Sequence, residues 1–81
     1  MADMGDKEVI DIITEALEVE EGTVTAETTA EDLEKWDSLG HLSILVALDK
    51  GFDGKVAAIA EMVTANSVLK ILNLLRDRGL I

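Results

Sequence analysis

From Ser38 to Leu48 the chain carries no charged residue, and this is its longest uncharged run. A membrane span needs about 20 apolar residues, so the run is too short to cross a bilayer. It reads instead as a helix from Ser38 to Lys50. Gly51 supplies a stop, and Lys50 complements the negative end of the dipole. The wheel of that helix carries two apolar stripes. Ile44, Leu45, Leu48 and Phe52 recur at i, i+1, i+4 and i+8, while Leu39, Leu42 and Val46 recur on another side. One core cannot easily cover both faces. The first stripe is expected to be buried, and the second to stay exposed beside Ser38.

The rest of the chain supplies what that core needs. Val9, Ile10, Ile12, Ile13, Ala16 and Leu17 fall at helical spacing over about Asp6 to Leu17. Asp6 is the expected N-cap, and Gly22 lets the chain turn after a run of glutamates. Thr23 to Trp36 is a long connection, rich in Thr and Glu. Val24 and Leu33 are its expected anchors, and Thr28 with Glu31 matches a capping box. Val56 to Met62 reads as a short third helix. A last helix, capped by Thr64 or Asn66, runs to about Arg78 and ends at Gly79. The expected architecture is therefore all-α: a four-helix bundle in one domain over residues 1–81, with three main helices, a short third helix and a long first loop.

Composition agrees with helix-on-helix packing. Of 81 residues, 48% are apolar, yet Trp36 and Phe52 are the only aromatics, so the core must be aliphatic. The absence of cysteine removes disulfides, thiolate nucleophiles and zinc-thiolate sites together. Formal net charge is −10, from 17 acids against 7 bases. Such a surface repels nucleic acid and anionic membranes, and it is attracted to basic protein surfaces. The N-terminus shows no signal or transit segment, which leads to the expectation of a cytoplasmic protein. A monomer is expected.

Ser38 is the residue with several possible chemistries. His41, the only histidine, lies three residues on, so the two are neighbours on a helix. A nucleophile and base could be paired this way, but no acid is placed to orient His41, and the G-x-S-x-G elbow is absent. No calcium-loop spacing occurs, so no resident metal is expected. A covalently carried group suits the residues better. A serine at a helix start is exposed, and a phosphate esterified to it would lie by unpaired N–H groups at the positive end of the dipole. Asp37 stands beside the hydroxyl, and no base is placed to activate it, so a separate enzyme would act on Ser38. The bland alternative is that Asp37 or Ser38 serves only as an N-cap.

Asp37-Ser38-Leu39 is followed by apolar residues four, six, seven and ten positions after the serine (Leu42, Ile44, Leu45, Leu48), and by Phe52 at fourteen. This ordered set resembles the signature of acyl carrier proteins. The resemblance covers nearly the whole chain, including the Glu31-Asp32-Leu33 segment ahead of the motif. It implies that Ser38 carries 4'-phosphopantetheine, transferred from coenzyme A by a magnesium-dependent phosphopantetheinyl transferase. Acyl intermediates would ride on the arm's thiol as thioesters, and the chain itself would not be an enzyme. The implied partners are acyl-loading and acyl-transferring enzymes with basic patches. They would dock at Asp37, Leu39, Leu42, Val46 and Asp49.

The chain also departs from the housekeeping carriers of fatty-acid synthesis. Ser43 stands five after the serine, and Asp49 is followed by Lys50, so the second helix has lost much of its acidic face. Trp36 and the Gly40-His41 pair are likewise untypical. These features resemble dedicated carriers of specialised pathways, such as polyketide-like, surface-polysaccharide or amino-acid-activating systems, the last including aminoacyl and peptidyl carriers. A different class of function is an unmodified acidic adaptor that docks partners through Leu39, Leu42 and Val46.

Overall fold

A computed structural model describes residues 5–81. The described residues are all-helical apart from loops and one isolated backbone bridge. Three α-helices, α1 (Asp6–Leu17), α2 (Ser38–Gly51) and α3 (Val68–Asp77), are joined by two 3-10 turns at Ala30–Asp32 and Ala60–Thr64. None of these helices is long and apolar enough to cross a membrane.

The α1 helix begins one residue earlier than its acids suggest. Gly5 occupies the N-cap, and Glu8 reaches back to accept its N–H at 2.9 Å. Glycine has no side chain to reciprocate, so only half of a capping box forms. Asp6 is displaced from the expected cap into the first turn. There it accepts from Arg76 of α3 at 2.6 Å, tying the two helices together. The helix ends on Glu18, which adopts a left-handed φ of 57°, four residues before Gly22.

The long loop is held by backbone pairing as well as by side chains. Ala30 N–H donates to Asn66 O (2.8 Å) and Val68 N–H to Thr28 O (2.9 Å), forming the bridge between Thr29 and Ser67. Val24 is buried as expected, and Leu33 packs partly buried against the core. The capping arrangement lies one residue further on than expected. Asp32 accepts from Thr29 N–H at 2.9 Å, whereas Thr28 is buried and accepts from Thr25 N–H.

The short third helix is not α-helical. A bend at Val56 and a turn at 57–58 lead into the 3-10 turn Ala60–Thr64. The reason is a period of three. Val56, Ile59, Met62 and Ala65 are all buried, and each of the last three donates its N–H to the carbonyl three residues back. Three residues per turn keeps all four on one face, whereas an α-helix would rotate them off it. The α3 helix is capped by Ser67, which accepts from Lys70 N–H at 3.1 Å, and not by Thr64 or Asn66.

The core is a single aliphatic cluster built from Val9, Ile13, Leu17, Ile44, Leu48, Ile71, Leu72 and Leu75, closed by Phe52 and Trp36. Burying each large aliphatic side chain contributes about 1.5–3 kcal/mol. The α2 helix packs chiefly on α1. Its buried face is Ile44, Leu48 and Phe52, with Leu45 half-buried, as the first stripe requires.

Candidate functional site

The site is the N-terminal end of α2. Asp37 is its N-cap, with extended backbone and a carboxylate that accepts from Gly40 N–H at 2.8 Å. The first helical carbonyl bond runs from His41 N–H to Asp37 O. Ser38 and Leu39 thus lie in the opening turn, where backbone N–H groups have no helical partner. Ser38 is exposed, and its hydroxyl makes no hydrogen bond among the described residues. Capping is done by Asp37, which leaves the Ser38 hydroxyl free.

Gly40 has a packing role. A Cβ there would overlap the Lys35 carbonyl far inside van der Waals contact and press on Leu17. The loop backbone can therefore cross closely under α2 only because residue 40 is glycine. The cleared side is the inner one, facing Leu17.

His41 is bound at both ring nitrogens. Trp36 Nε1 donates to Nδ1 at 3.0 Å, and Nε2 lies 2.8 Å from Met62 O. An indole nitrogen only donates and a carbonyl only accepts, so Nδ1 is the bare nitrogen and Nε2 carries the proton. The rings lie 14° from parallel with centroids 6.1 Å apart. Both the N–H and the lone pair are in-plane, so the two rings meet edge to edge. Loop, α2 and the second 3-10 turn are joined through this one side chain. Neither nitrogen is left to take a proton from Ser38, and the Ser38–His41 pairing considered from sequence has no free base.

Beside Ser38 opens a groove of about 650 Å³ between α2 and the second 3-10 turn. Trp36, His41 and Leu42 line it with Ala30 and Val63. A smaller groove of about 310 Å³ lies further along α2, lined by Val46, Val56, Ile59 and Met62. Leu45 and Val63 line both grooves and form the divide between them.

The second stripe is exposed as expected: Leu39 is 75% exposed, Leu42 56% and Val46 52%. Val63, at 65%, joins the same surface, and sequence reading missed it. Its segment has no amphipathic α-period that would have marked an outward residue. Asp49 is in part structural: its carboxylate accepts from Ala57 N–H at 2.8 Å and closes the turn after α2. No cluster of three or more metal-ligating side chains occurs among the described residues. No protein-family model matches the chain, and no curated protein or solved structure matches it either.

Proposed function

We propose that the chain is a cytoplasmic acyl carrier of acyl-carrier-type bundle fold, bearing 4'-phosphopantetheine on Ser38 and catalysing no reaction itself. One observation carries the reading. A serine with an unengaged hydroxyl stands in the first turn of a helix capped by its neighbour, at the mouth of an apolar groove. The residues present fit the group. The unpaired N–H groups of the opening turn suit a phosphate on Ser38. Leu42, Leu45 and Val63 give the groove wall that a flexible arm would follow. When bound, the group supplies a thiol on a long tether, which holds acyl cargo as a thioester. The chain's own residues then have three tasks: Ser38 anchors, Asp37 fixes the helix start, and the groove shelters apolar atoms from water.

The partners of such a carrier are a phosphopantetheinyl transferase and the enzymes that load and unload it, each offering a basic surface to a monomer of net charge −10. The test is direct. Incubation of the full chain with coenzyme A and a broad-specificity transferase is expected to raise the intact mass by one phosphopantetheine. Ser38→Ala is expected to abolish the gain. An unchanged mass beside a modified control carrier would sink the reading.

A second reading has its own observation in the exposure of Leu39, Leu42 and Val46. An unmodified adaptor would tolerate Ser38→Ala and lose partner binding on Leu42→Asp. A carrier would lose its function in both.

A further inference from the structure

The net negative charge comes from the first part of the chain. From Gly5 to Asp37 there are twelve acids and two bases; from Ser38 to Ile81 there are four acids and five bases. Along α2, Asp49 stands beside Lys50, and the helix carries no net charge. Its outward face is Leu39, Leu42, Ser43 and Val46, and Leu39 lines neither groove. Leu42 and Val46 each line one groove while staying more than half exposed, so Leu39 alone lies wholly outside the grooves.

The loop of residues 30–37 leads into the N-terminal end of that face. Ala30 lines the groove with Ser38, and Asp37 caps α2. Within the loop Asp32 and Asp37 have carboxylates committed to Thr29 and Gly40 N–H groups. Glu31 and Glu34 are exposed and accept no hydrogen bond among the described residues.

We propose that a single partner protein docks over Leu39, Leu42, Val46 and Val63, and that its cationic side chains meet the 30–37 loop, above all Glu31 and Glu34, rather than α2. This deepens the carrier reading and rests on it only for the partner being a loading or transferring enzyme. The occupant is a protein with an apolar socket rimmed by Lys or Arg on one side. Nucleic acid and anionic lipid carry the wrong sign. A second copy would bring two charges of −10 together.

The full isotope-labelled chain is titrated with a synthetic amphipathic helix of leucine and lysine. Amide shifts are expected at residues 31–46 and at Val63, with affinity falling as salt screens the rim. Glu31→Gln with Glu34→Gln is expected to weaken binding about fivefold. Glu15→Gln with Glu20→Gln, on α1 and the turn after it, leaves affinity within about twofold. Leu42→Asp is expected to abolish binding with the helical spectrum unchanged. Equal losses from the two glutamate pairs, shifts centred on Asp49 and Lys50, absence of binding, or dimerisation of the free chain would each overturn the proposal. The mass assay on Ser38 is independent, so a docking face without modification, or modification without the face, separates the two failures.

Discussion

Trp36 donates its indole N–H to His41 Nδ1 at 3.0 Å, joining the buried end of the long loop to the second turn of α2. Trp36 is only 4% exposed, so its N–H has no water to turn to. His41→Ala therefore leaves a buried donor unmet and also cuts the link to Met62 O. An unsatisfied buried polar group costs about 1–3 kcal/mol. The urea midpoint, followed by Trp36 fluorescence, is expected to fall accordingly. A midpoint within error of the parent would show that the link contributes nothing.

Gly40→Ala should be harmful although alanine is the better helix former by about 1 kcal/mol. The new Cβ meets backbone, the Lys35 carbonyl, which cannot swing aside as a flexible side chain would. The loop must move away from α2 and weaken the seating of Trp36. Overpacking of this kind costs about 1–3 kcal/mol. Thermal melting tests it, and a raised melting temperature would mean that the loop yields freely.

The α2 helix was legible in the sequence because its two stripes have different partners. Ile44 and Leu48 are buried and Leu39 and Val46 are not, as period 3.6 alone implies. The N-cap at Asp37 was legible only as an alternative to Ser38, since both residue types cap well. Three features were hidden for physical reasons. The period of three through Val56, Ile59 and Met62 is easily taken for a distorted α-period. The Gly40 requirement depends on a carbonyl five residues away, and the His41 links depend on a residue 21 positions on. Caps shifted by one residue, to Gly5, Thr29 and Ser67, reflect a choice between adjacent residues that can each cap a helix.

The contrast between the two stripes of α2 gives a paired test. Leu48→Ala opens a cavity at a fully buried position and is expected to cost about 2–5 kcal/mol. Leu42→Asp removes an exposed side chain, and it is expected to stay within about 0.5 kcal/mol of the parent. Denaturant unfolding of both variants is the measurement. A large loss at Leu42 would mean that its side chain belongs to the core and is not a docking contact.

Glu18 ends α1 with a left-handed φ of 57°, which an L side chain adopts at a cost of about 1–2 kcal/mol. It also brings negative charge to the negative end of the helix. Glu18→Gly removes both penalties, offset by about 0.5–1 kcal/mol of extra chain entropy in the unfolded state. The net expectation is a gain of about 0.5–1 kcal/mol, read as a higher urea midpoint. Glu18→Ala removes the charge and keeps the strained backbone, so it should recover less. If alanine matched glycine, charge and not conformation would be the cause.

Glu8 makes the start of α1 sensitive to acid. The N–H of Gly5, donated to its carboxylate, holds this carboxyl below its usual value, and its own backbone N–H acts in the same direction. A group depressed in the folded state stabilises fully above its unfolded value. That contribution is lost as pH falls through the lower folded value. Protonation should thus release Gly5 and fray the first turn at the acid edge of the carboxylate range. Global stability is a poor reporter, because protonating the other acids also relieves the repulsion of a chain at −10. The Gly5 amide resonance is the local one. It is expected to titrate with Glu8 in the parent and to lose that titration in Glu8→Gln, whose amide oxygen still accepts but has no charge to lose. A Gly5 titration that persists in Glu8→Gln would assign the response to another acid and remove Glu8 from the cap.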